Sequence, residues 1–171
     1  MWAQFRCGTE ARRQAVAASP VQVDGLGLNG IDFVEVIDRE APDPALRQRV
    51  LHLHFLKPDG VAALGPADLA IEGGERVTAI AVLAVAPLAG SDRALALTLD
   101  RYGDFGRYTL RLRDAAGAGP PAHIDPPLAQ VEFSFKTDCP TGFDCADAAD
   151  CPPDLPPAPR LDTLAKDYES F

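Results

Sequence analysis

Asp104-Phe105-Gly106-Arg107-Tyr108-Thr109-Leu110 sets a short acidic and glycine-containing turn directly against a strand whose residues alternate. The run continues to Arg113, with Tyr108, Leu110 and Leu112 on one face and Thr109 and Arg111 on the other. Two-residue alternation is the mark of a half-buried strand. An aspartate four residues before an inward tyrosine adds a second expectation: the tyrosine hydroxyl bonds back to nearby backbone and pins a corner. The simpler alternative is that Tyr108 is only an inward aromatic on a strand.

Working outward, the same period recurs on both sides. Ile31 to Ile37, Val50 to Leu56, Leu69 to Glu72, Val77 to Val85 and Ala94 to Leu99 read as strands before the corner, and Gln130 to Lys136 as one after it. Gly73-Gly74 and Lys57-Pro58-Asp59-Gly60 separate them as turns. About seven short strands, with the D-x-G-x-Y pattern opening the sixth and only one to follow, predict an all-β fold. The expected form is an immunoglobulin-like or fibronectin-III-like antiparallel β-sandwich. Alternation predicts Leu51, Leu53, Phe55, Val82, Leu97, Leu110, Leu112, Val131 and Phe133 inside, with His52, His54, Thr109 and Arg111 facing outward.

Before the first strand, Thr9 caps a short helix, Glu10 to Ala18, which Ser19-Pro20 ends. After the last, prolines at 140, 152, 153, 156, 157 and 159 accompany Cys139, Cys145 and Cys151 in sequence that cannot build a core. Leu161, Leu164, Tyr168 and Phe171 then fall on one face of a helix whose apolar side needs a partner. The expected organisation is an N-terminal segment with a short helix (1–20), a β-sandwich (21–137), a Cys/Pro-rich linker (138–160) and the start of a helix (161–171).

The chain has 171 residues, 16 lysines and arginines against 25 aspartates and glutamates, and a net charge of −9. That balance gives no long-range attraction for nucleic acid or an anionic membrane. No apolar run reaches the length of a membrane span or a secretory signal, so the expected setting is a reducing cytoplasm.

Several motifs resemble chemistry. Gly25-Leu26-Gly27-Leu28-Asn29-Gly30 satisfies G-x-G-x-x-G, yet a β-branched run follows where dinucleotide binding needs a helix, so it reads as a hairpin turn. Asp104-Phe105-Gly106 matches a kinase tripeptide without the rest of a kinase, and belongs to the corner. His52 and His54 could offer two imidazoles to a metal, but their sequence neighbours supply no third ligand, and the solvent face of a strand accounts for them. His123 could pair with Asp125. No serine or carboxylate arrangement supports catalysis, so no enzyme is expected.

The cysteines are the remaining constellation. Cys7, Cys139, Cys145 and Cys151 are expected to converge on one structural site, an iron–sulfur cluster ahead of zinc, stapling the linker to the domain. The wide C-x5-C-x5-C spacing identifies no metal, and free thiols or an adventitious disulfide explain it nearly as well.

Taken in order, Phe5-Arg6-Cys7-Gly8 with Arg12-Arg13, Leu28 to Val36, Gly73-Gly74-Glu75-Arg76, Gly103 to Leu112, Phe133-Ser134-Phe135-Lys136, Cys139 to Cys151 and Leu161 to Phe171 resemble one family across essentially the whole chain. It is the N-terminal region of baseplate assembly proteins, the J-like baseplate wedge subunits of phage-tail-derived contractile injection systems. The resemblance implies the front part of a longer structural subunit, assembled in the cytoplasm into an injection particle. Its implied partners are other wedge subunits, the hub and spike and the sheath in a sixfold assembly, with the firing signal passed to the sheath. A small cysteine-ligated metal-binding or electron-transfer protein is the alternative, and a carbohydrate- or peptide-binding sandwich a weaker one.

Overall fold

Five of the seven period-two runs become strands to within a residue at each end in a computed structural model, which describes residues 4–41, 43–114, 116–117 and 119–136. In chain order the elements are β1 (Gln4–Arg6), α1 (Glu10–Ala18), β2 (Gln22–Val23), β3 (Leu26–Gly27), β4 (Ile31–Ile37), β5 (Val50–Phe55), β6 (Leu69–Gly73), β7 (Val82–Pro87), β8 (Ala94–Leu99), β9 (Tyr108–Leu112) and β10 (Gln130–Phe133). They form a five-stranded sheet in the order β1-β4-β5-β8-β7, a three-stranded sheet β10-β9-β6, and a two-stranded ribbon β2-β3. All of these strand pairings are antiparallel. The described residues are thus mostly β with one short α-helix; the cysteine-rich linker and the helix expected from residue 161 lie outside them.

Leu51 and Leu53 of β5 pair with Leu97 and Leu95 of β8. Together with Tyr108, Leu110, Leu112, Val131 and Phe133 they make one continuous core, so the two larger sheets share a single apolar interior. The inward set read from alternation is buried apart from Val82, which is half-buried on the edge strand β7 beside a bulge.

That strand also begins later than expected. Val77 gives its N–H to Asp104, Ala79 takes a positive φ of 55°, and the Ala81 N–H is captured by the Asp100 carboxylate, so no ladder forms before Val82. At the other end, β10 stops at Phe133, and Phe135 turns edge-on to Tyr108 with ring centroids 4.8 Å apart.

The helix occupies the expected span, with the Thr9 side chain accepting the Arg12 N–H. Two consecutive arginines moor it. Arg13 is buried and donates to the carbonyls of Cys7 (2.8 Å) and Gly8 (3.1 Å), while Arg12 forms a two-pronged ion pair with the buried Asp125. The residues before Pro20 are therefore built into the fold: β1 extends the larger sheet, and Cys7 and Val16 enter the core. Asp125 is paired with Arg12, and the buried Nε2 of His123 makes no hydrogen bond to it.

Gly25 does serve a hairpin. Asp24 and Gly25, both at positive φ, make the two-residue turn between β2 and β3 in the geometry that favours the strand twist. Just beyond it, Asn29 is wholly buried and uses all its side-chain capacity. Its amide donates to the carbonyls of Lys57 (2.8 Å) and Asp59 (2.9 Å), and its oxygen accepts the N–H groups of Gly30 and Lys57. The turn after β5 is thereby tied to the start of β4.

At the corner, the Tyr108 hydroxyl accepts the Asp104 N–H at 2.9 Å and lies 2.7 Å from the Val77 carbonyl, to which it donates. The hydroxyl returns to backbone as the sequence pattern predicts.

Candidate functional site

Among the described residues, two groups of side chains carry chemistry beyond packing: the Cys7 thiol, and a carboxylate with two imidazoles on the outer face of the five-stranded sheet.

Cys7 follows β1 and is 1% exposed. Its Sγ donates to the Gln130 carbonyl at 2.9 Å, and burial pushes the thiol from the ordinary 9.0 up to about 11. A thiol so held is protonated at neutral pH and a poor nucleophile. Cys139, Cys145 and Cys151 lie outside the described residues. Cys7 sits beside the first residue of β10, whereas the cysteine-rich segment follows the last, so a shared site requires the chain after Lys136 to turn back along the sheet. At pH 8 the folded chain should alkylate Cys7 with iodoacetamide roughly 100-fold more slowly than the urea-unfolded chain, the rise from 9.0 to about 11 alone supplying that factor. Peptide mapping checks it, and equal rates would contradict the burial.

The second group arises from register. His52 and His54 are two apart on β5 and so share a face. The pairing of β4 with β5 sets Glu35 opposite His52, and Phe33 opposite His54. Glu35 Oε2 lies 3.3 Å from His54 Nε2 and 4.0 Å from His52 Nδ1. Gln4 on β1 donates to the other carboxylate oxygen at 2.8 Å, and the Phe33 ring stacks on His54 with centroids 4.2 Å apart at 14°.

The imidazoles are off the core face, as alternation requires, but half-buried there instead of open to solvent. Their side chains are only 17% and 20% exposed, and Glu35 only 6%. Burial draws His52 below the ordinary imidazole value, the neighbouring Glu35 working against it. Burial likewise lowers His123, whose buried Nε2 has no hydrogen-bond partner. Sequence reading found both histidines of the pair and missed Glu35, since the third member comes from the adjacent strand and only the register reveals it.

The model of the phage baseplate assembly protein N-terminal domain family matches residues 1–133. The chain belongs to that family. Searches of curated proteins and of solved structures found no match. The matched segment runs from β1 to the end of β10, so it takes in every sheet of the described fold, the corner and the Glu35–His52–His54 group. Membership gives this baseplate assembly domain a structural role in a phage-type particle, in contact with other baseplate components. No helix among the described residues is long and apolar enough to cross a membrane.

Proposed function

We propose that the chain is the N-terminal assembly module of a baseplate wedge subunit in a contractile injection system, without catalytic activity of its own. The observation that carries this reading is the family match from residue 1 to residue 133. In this role it joins a second wedge protein around the hub and spike in sixfold fashion and helps pass the firing signal to the sheath. The order β4-β5-β8-β7 opposite β10-β9-β6 supports an immunoglobulin-like reading of the fold, being the four-plus-three arrangement of constant-type domains. The Tyr108 corner supports it as well. A rigid two-sheet unit suits a part that must transmit displacement rather than absorb it.

Co-expression of the full-length gene with its neighbouring baseplate genes tests the proposal. Affinity capture is expected to yield a stable complex with the second wedge protein, and deletion of residues 1–133 to leave particles without an assembled sheath. Assembly of contractile, sheathed particles from the deletion strain would overturn it. The cysteine site remains a separate proposal for a metal-held linker. About one equivalent of iron or zinc per chain that anaerobically purified protein holds and Cys139→Ser loses would support it, and metal content unchanged by that substitution would remove it.

A further inference from the structure

We propose that Glu35, His52 and His54 form a binding site for a single divalent transition-metal ion of the zinc class, on the outer face of the five-stranded sheet. One donor atom from each of the three residues lies within 4.8 Å of the other two. Zinc bound by nitrogen and oxygen at about 2.0–2.1 Å in tetrahedral geometry needs donors about 3.3 Å apart. The Glu35–His54 separation already meets that value at 3.3 Å, and the Glu35–His52 separation of 4.0 Å needs a shift of less than about 1 Å. Small rotations about the side-chain torsions of two histidines on one strand supply such a shift without moving backbone.

The surroundings orient the donors as supports of metal ligands do. Gln4 occupies Oε1 of Glu35 from the side and leaves Oε2 turned to the imidazoles, while Phe33 fixes the ring plane of His54. His54 Nε2 is buried and makes no hydrogen bond, although it faces the carboxylate at 3.3 Å. Among the described residues no lysine or arginine lies in ion-pair range of Glu35, whose carboxylate is met by the Gln4 amide and the two imidazoles. A cation between the three groups would use the idle nitrogen and neutralise the carboxylate together. The donor chemistry selects the ion: two imidazoles favour zinc, cobalt or nickel over calcium and magnesium, which take oxygen. Three protein ligands leave a fourth position for water. A bound ion would clamp β4 to β5 across the sheet and fix the β1 edge through Gln4.

The test uses the complete chain, stripped with EDTA, beside a variant with Cys139, Cys145 and Cys151 changed to serine, which removes the competing thiolates. Calorimetric titration with zinc chloride at pH 7.5 is expected to show one equivalent bound in the serine variant, whatever the cysteines add in the unsubstituted chain. Affinity should fall at least ~100-fold in Glu35→Gln and in His54→Gln. In the unsubstituted chain, zinc should shift the imidazole nitrogen resonances of His52 and His54, a readout independent of how the variants fold. Loss of zinc binding in the serine variant, unchanged affinity in His54→Gln, or unmoved resonances of both histidines would overturn the proposal.

Discussion

Asp104→Ala should lower the thermal midpoint of the domain by more than about 10 °C, a loss of roughly 4 kcal/mol at this chain length. The reason lies in how many donors depend on one carboxylate. Oδ2 accepts the N–H groups of Glu75, Arg76 and Val77, and Oδ1 accepts that of Gly106 and lies 2.9 Å from the Tyr108 hydroxyl. Glu75 and Arg76 are exposed enough for water to replace the carboxylate, but the Val77 and Gly106 bonds are buried. A buried donor left without an acceptor costs about 1–3 kcal/mol, so two account for most of the expected loss. Burial of Asp104, 2% exposed, would raise its pKa; the backbone donors outweigh that and hold it at about 2 against an ordinary 3.8. A carboxyl lowered on folding contributes stability that is complete above its unfolded value and is lost as pH falls through the folded one. The domain should therefore weaken by about 2 kcal/mol between roughly pH 4 and pH 2 on this account alone. Asp104→Asn, which keeps one acceptor oxygen, should be milder at pH 7 and should flatten that part of the acid profile. Urea unfolding of both variants from pH 2 to 7 reads the effect, and an unchanged acid slope in Asp104→Asn would assign the pH dependence elsewhere.

Alternation carried most of the fold. β4, β8 and α1 lie where their patterns end, because in each the apolar period, a cap or a proline acts locally. The strand expected from Val77 fails for a reason no period contains. Its first residues are held by Asp104 and Asp100, carboxylates 27 and 19 positions away, and a side-chain acceptor competing for backbone N–H groups outranks propensity. The same distance hid Asn29. In sequence it is one polar residue in a glycine-rich turn, and its four bonds appear only when the turn after β5 folds against it.

The candidate metal ligands divide in the same way. A spacing of two on β5 made His52 and His54 a pair, but the solvent-face reading assumed that polar alternation means exposure. Here the neighbouring strand lays Phe33 on the His54 ring and sets Glu35 beside both imidazoles, leaving them half-buried. Glu35 sits in an otherwise hydrophobic run, Phe33-Val34-Glu35-Val36-Ile37, where a single acid on the outer face is unremarked until the register sets it beside an imidazole.

Gly74→Ala should cost about 3–5 kcal/mol, and Gly25→Ala only about 1–2 kcal/mol, although the two glycines share nearly the same positive φ. Gly74 has φ +81° and Gly25 φ +80°, so a methyl group at either incurs the left-handed penalty. Their surroundings differ. Nothing lies within 4 Å of a Cβ at Gly25, whereas one at Gly74 would meet the Val77 carbonyl oxygen at 2.2 Å and the Tyr108 hydroxyl at 2.5 Å. Those are the two atoms joined by the corner hydrogen bond. Neither can retreat freely, since the Val77 N–H is held by Asp104 and the Tyr108 ring packs against both Phe133 and Phe135. The added methyl must therefore push the β6–β7 connection away from the start of β9, separating tyrosine from carbonyl. Because both variants incur the positive-φ penalty, the difference between their unfolding free energies chiefly reads the packing of the corner. Equal losses in the two variants would mean that the tyrosine contact is soft and that the joint between the sheets is held elsewhere.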